Sequence, residues 1–217
     1  MRRGGEEMAI WEIPTLLAIS VLGGMKSTYG IELWKDRERP ISQIWTEKWM
    51  YKLAGCWLIF YVLVWLLFEK SIIAVRTADL LGTYGILAVI DGKCRIVPDW
   101  ILICYFAGQM LLGALCNLPV DLLQTCLMGI GFGIICMIFA WFSKGKMGMG
   151  DAKLLGITAM TAGCKYTMQI LSIALMLSFF YSLYLLGFWK KCIRTEFPFV
   201  PFLTVGMAVH LIFCAIS

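Results

Sequence analysis

The sequence predicts an all-α fold, a polytopic membrane helix bundle of about six to seven transmembrane helices. Three observations lead there. Hydrophobic residues make up 60% of the 217-residue chain and charged ones 15%, with a mean hydropathy of +0.81, outside the range of soluble domains. Apolar stretches of about 20 residues recur along most of it, far longer than barrel strands. In hydrocarbon a backbone has to satisfy its own hydrogen bonds, so stretches of that length are helices.

Taken in order, residues 1–52 are the most polar part. The run 13–25 (IPTLLAISVLGGM) is short for a span and is flanked by Glu12 and Lys26, which predicts an interfacial or partly buried helix. Glu6, Glu7 and Glu12 interrupt the basic start and no small-residue cleavage pattern follows, so this is not a signal peptide. The stretch 32–39 (ELWKDRER) reads as a solvated connection. Spans are expected at 53–68, 72–90, 98–116, 122–142 and 166–188, with a last one near 198–216. A short apolar helix over about 152–164 opens with Asp151 and Lys153 and crosses only with neighbours covering it. Arg76 and Asp79 predict that the start of 72–90 packs against protein rather than lipid. The expected organisation is an amino-terminal cytoplasmic or interfacial segment, 1–52, ahead of a membrane-embedded domain, 53–217.

Lys and Arg concentrate on the cytoplasmic side of membrane proteins. With a cytoplasmic amino terminus and seven spans, 1–52, 92–97, 143–151 (with Lys153) and 189–197 face the cytoplasm. They hold 16 of the 19 basic residues, leaving Lys70, Arg76 and Lys165 outside. Asp91 and Asp151 then lie at one face, the cytoplasmic one, of the cell's inner or cytoplasmic membrane.

The nine cysteines include no C-x-x-C pair, and most fall inside expected helices, where they serve as small residues tolerant of burial. The single histidine, His210, sits in the last apolar span, where a packing role is expected. A zinc site or a His-dependent nucleophile has little to work with, and no metal or cofactor is expected.

Two carboxylates remain. Asp91 follows the apolar run LAVI at a helix carboxyl end, and Asp151 closes Gly148-Met149-Gly150-Asp151 at a helix amino end. Carboxylates within a few ångströms of each other cannot both ionise cheaply, so one holds a proton while the other acts as base toward a water between them. That chemistry cleaves a peptide bond without metal or covalent intermediate. The dipole of each acid's own helix predicts Asp151 as the base and Asp91 as the protonated partner. Gly148 and Gly150 are expected to allow unusual backbone angles and close approach of another chain, with Gly145 and Lys146 extending the loop. Lys153 either holds Asp151 ionised, orients the loop, or snorkels to the interface. A competing use of the acids is a proton or cation site in a transporting protein.

The run Asp91-Gly92-Lys93-Cys94-Arg95-Ile96-Val97-Pro98-Asp99, followed after a transmembrane helix by Gly148-Met149-Gly150-Asp151, resembles the type IV prepilin peptidases, membrane aspartic peptidases of the G-x-G-D type. Pro198-Phe199-Val200-Pro201-Phe202-Leu203-Thr204-Val205-Gly206 is similar to the stretch that opens that family's last helix. Together the matches cover about 50–217. The resemblance implies an aspartic endopeptidase with Asp91 and Asp151 catalytic, and Gly148, Gly150 and Lys153 in the active-site loop. It also implies Pro198, Phe199 and Pro201 near the substrate. Asp99 is read instead as a helix-start residue after Pro98. The implied partners are a prepilin or pseudopilin, whose leader is removed at the cytoplasmic face, and the lipid bilayer; no nucleic acid is expected. Residues 1–52 hold no cysteine, unlike the zinc-binding domain of longer members, so methyltransferase activity is not expected.

Overall fold

The structure is a computed structural model that describes residues 4–34, 48–67, 72–115, 119–143, 147–189 and 198–216. Among these residues it is wholly helical. The elements are α1 (Gly4–Trp34), α2 (Lys48–Leu67), α3 (Ile72–Cys94), α4 (Asp99–Leu115), α5 (Pro119–Phe142), α6 (Met149–Ala162), α7 (Cys164–Trp189) and α8 (Val200–Ile216). Gly145, Lys146 and residues 35–39 lie outside the described residues.

Two stretches, Leu123–Phe142 and Cys164–Gly187, are long and apolar enough to cross a membrane. Only 22% and 11% of their most apolar windows are buried, with Leu127, Ile135, Phe139, Phe179 and Phe180 facing outward. The core helix of a soluble protein is covered instead. Apolar surface on this scale calls for lipid or another protein. Shorter apolar helices occupy Tyr51–Leu67, Asp99–Ala114 and Val200–Phe213.

The short helix α6 lies at the centre. Its Ala152, Leu154 and Leu155 are fully buried in a core shared with Tyr84, Leu87 and Ile90 of α3, Ile101 and Tyr105 of α4, and Leu203 and Met207 of α8. Glycines let α5 and α6 meet backbone to backbone: a Cβ at Gly156 would fall 2.9 Å from Gly133 Cα, and one at Gly129 2.3 Å from Met160 N. Such small-residue contacts are the usual means of tight helix packing in membranes. At Gly163 the chain takes φ 95°, where side chains other than glycine's are strained, and its N–H closes the helix on Ala159 O at 3.1 Å. The stop leaves α6 only 14 residues, about 21 Å, before α7 begins.

Residues 13–25 lie inside the 31-residue α1, which buries Leu16, Ile19 and Met25. The helix runs antiparallel to α2, with Gly23 against Trp57 and Gly24 against Ala54. It runs parallel to α3: Lys26 meets Asp79 and Thr83, and Gly30 lies against Ile86 and Ile90. Its amino end is therefore at the opposite end of the bundle from Asp91, which corrects the placement of all of 1–52 on the Asp91 side. The reason is Lys26: by sequence it ends an apolar run, but in the fold it is 1% exposed and neutralised.

Its partner, Asp79, is a junction of four helices. Oδ1 accepts Lys26 Nζ at 2.7 Å from α1 and Tyr61 OH at 2.6 Å from α2, while Oδ2 accepts Gln109 Nε2 at 3.0 Å from α4. Gln109 in turn accepts Arg76 Nε at 3.0 Å, and Arg76 also donates to the Thr161 carbonyl at the end of α6. The expectation that Arg76 and Asp79 pack against protein holds.

Candidate active site

Helix α3 delivers Asp91 in its last turn, where Arg95 N–H donates to the Asp91 carbonyl at 3.0 Å. Asp91 is buried, and its Oδ2 accepts the backbone N–H of Val200, the first residue of α8, at 3.1 Å. The N–H of Phe199 lies near enough to this carboxylate to favour its charged form as well. Between Pro198 and Pro201 only these two residues own a backbone N–H, so the proline-flanked stretch presents two donors and the positive end of a helix to one acid. The Val200 donor of this stretch is thus taken by Asp91. Pro198, Phe199 and Pro201 sit half-buried around that contact.

Asp151 is the third residue of α6, and its carboxylate folds back over Gly148, the residue before the helix. Gly148 itself has φ −64° and ψ 134°, an ordinary extended conformation. The expectation of unusual angles in this loop fails at Gly148, and Gly150 is helical; the need is for space. A Cβ on Gly148 would lie 2.9 Å from Asp151 Oδ2, and one on Gly150 2.8 Å from Val97 Cβ. One glycine leaves room for the carboxylate, and the other lets the first turn of α6 seat against the loop that follows Asp91.

Lys153 Nζ bonds both oxygens of Asp99, at 2.8 and 2.9 Å, with both side chains exposed. It joins α6 to α4, rather than pairing with Asp151 or reaching for an interface.

Both acids lie outside the apolar spans 72–90 and 152–164. Burial pushes Asp91 up, against the opposing pull of the N–H groups of Val200 and Phe199 and the charge of Arg95. Asp151 is pushed to about 6, first by burial and then by the charge of Asp91, with Gly148 N–H only partly offsetting them. The charge of Asp91 therefore reaches Asp151. The assignment drawn from each acid's own helix left these neighbours out. Sequence shows Asp91 at the negative end of α3; it cannot show the positive end of α8 arriving beside it.

His210 packs edge-on against Tyr166, ring centroids 4.8 Å apart. Cys56, Cys94, Cys104, Cys126, Cys136 and Cys164 are free thiols. Among the described residues no three His, Cys, Asp or Glu side chains come together as a metal site. Sequence reasoning missed Val200, whose contribution is a backbone donor without a side-chain signature, and Arg95, whose basic charge was counted only toward topology.

The sequence profile of a family described as the type IV leader peptidase family matches residues 78–186, from α3 through most of α7, a stretch that contains both aspartates and the G-x-G-D loop. No curated protein and no solved structure matches the chain significantly.

Proposed function

The chain belongs to the type IV leader peptidase family, and we propose that it is an aspartic endopeptidase that removes the short leader of a prepilin or pseudopilin at the cytoplasmic face of the membrane. The observation that supports this reading is the pair itself: Asp91 held by the Val200 N–H at the amino end of α8, and Asp151 pushed up to about 6 by burial and by the charge of Asp91. Asp91 takes a proton from a water lying between the two carboxyls as the water oxygen attacks the scissile carbonyl. Asp151 gives its proton to the developing oxyanion. The neutral tetrahedral adduct then collapses: the C–N bond breaks as Asp91 gives its proton to the leaving amine, and one adduct hydroxyl returns its proton to Asp151 as the C=O reforms. No covalent intermediate forms. A cation site would present free anionic oxygens, whereas here one oxygen of Asp91 already accepts a backbone N–H and Asp151 is protonated below about pH 6.

The peptidase unit proposed is 53–217, with α1 bracing it. A multi-pass topology with the Asp91 end cytoplasmic agrees with Lys93, Arg95, Lys144, Lys146 and Lys153 all clustering near that end in sequence. The substrate's apolar helix would lie in lipid beside the bundle while its extended leader junction reaches the two acids, with Gly148, Gly150, Pro198, Phe199 and Pro201 around it. Purified protein in liposomes, incubated with a prepilin, tests this. Leader release by the wild type and none by Asp91→Asn or Asp151→Asn is expected; release by either variant at the wild-type rate would rule the dyad out.

A further inference from the structure

Tyr84 is seven residues before Asp91 on α3, and Thr158 is seven residues after Asp151 on α6. Seven residues are close to two helical turns, so each aspartate shares a stripe with its partner residue, about 10 Å along and about 20° around the axis. The two partners meet: Tyr84 OH and Thr158 Oγ1 are 2.7 Å apart, and both side chains are fully buried. Thr158 spends its own hydroxyl proton on the Leu154 carbonyl at 2.8 Å, which makes Tyr84 the donor across the helix pair. Thr204 of α8 bonds the Tyr84 carbonyl at 3.2 Å, one helical turn beyond the Val200 N–H that holds Asp91.

We propose that Tyr84 and Thr158 are positioning residues whose hydrogen bond sets the register of α3 against α6, and so brings Asp91 and Asp151 level at the same end of the pair. The proposal rests on the dyad reading above. In antiparallel helices, equal spacings from one contact carry two side chains to the same height. A slip of one residue on either helix moves one carboxylate by about 1.5 Å and turns it by about 100°. Arg76 also joins α3 to α6, reaching the Thr161 carbonyl through a long, flexible side chain. Besides each other, the charged and titratable groups near the acids are Lys93, Cys94 and Arg95 at the end of α3 and the Lys153–Asp99 pair between α6 and α4. The α8 side contributes the backbone N–H groups of Phe199 and Val200.

Tyr84→Phe removes the hydroxyl and leaves the ring, so packing is retained. With purified enzyme and a prepilin substrate, kcat is expected to fall about 10- to 100-fold, in line with the sensitivity of catalysis to small misplacements. KM should change little. The alkaline limb of kcat/KM should move to lower pH, because Asp91 then acts less on Asp151. Thr158→Ser keeps the hydroxyl and should retain the wild-type profile, whereas Thr158→Val should behave as Tyr84→Phe does. A wild-type kcat and pH profile in Tyr84→Phe would overturn the proposal. So would a loss of activity that tracks melting temperature while the pH profile stays fixed, since that marks plain packing. Asp91→Asn and Asp151→Asn, run alongside, separate the levels: if they cleave, the dyad reading fails; if they are inert and Tyr84→Phe is normal, only the register proposal fails.

Discussion

At the scale of single residues, the two aspartates differ by what other elements bring to them. Asp91 accepts from the amino end of α8, and Asp151 is pressed by burial and by Asp91 itself. In free enzyme, kcat/KM is therefore predicted to decline as pH rises through about 6, where the proton leaves Asp151. A pH–rate series on a single prepilin checks it. The same shift has a stability sign. A carboxyl whose folded value lies above its unfolded one stabilises the fold fully below the unfolded value near 3.8, and that contribution is lost as pH rises through about 6. Asp151→Asn should thus melt higher than wild type at pH 7, with the difference shrinking below about pH 4; thermal melts at both pH values read it. Gly148→Ala puts a methyl 2.9 Å from Asp151 Oδ2, close enough to displace the carboxylate, while its backbone stays relaxed. It should cost about 100-fold in kcat with little change in melting temperature.

At the scale of elements, the bundle is organised around the shortest helix. Tight contact of Gly129 and Gly133 with α5's neighbour, and the break at Gly163, make α6 a central strut. Sequence showed its start, length and apolar character, because Asp151 and the glycines bound it. It could not show that α6 is tied to α4 by Lys153 and Asp99, since 54 residues separate them. That exposed pair contributes little stability, of order 0–1 kcal/mol. Asp99→Asn is accordingly predicted to cleave at a rate within a few-fold of wild type, which a side-by-side assay with Asp91→Asn decides. The first helix was the least legible element. A 13-residue apolar run bounded by Glu12 and Lys26 reads as marginal, and only the fold reveals that Asp79 neutralises the lysine.

At the scale of the whole molecule, one carboxylate joins four helices, and two of its donors, Lys26 and Tyr61, lie outside the matched region 78–186. The α1–α2 hairpin is thereby bolted to the helices that carry the candidate site. Breaking a buried ion pair from one side leaves an uncompensated charge, at a cost of about 3–5 kcal/mol. Lys26→Met should lower folded yield and melting temperature sharply, and Lys26→Met with Asp79→Leu should recover much of both. The candidate acids themselves were legible because charges are scarce in so apolar a chain; their partners were not, because Val200 and the Tyr84–Thr158 bond exist only once helices pack. The most direct test of the central claim is mass spectrometry of the amino terminus of a prepilin co-expressed with this protein. Wild type is expected to yield a shortened, unmethylated terminus, with the full leader retained by Asp91→Asn and by Asp151→Asn. A shortened pilin from either variant would contradict a peptidase that works through this pair.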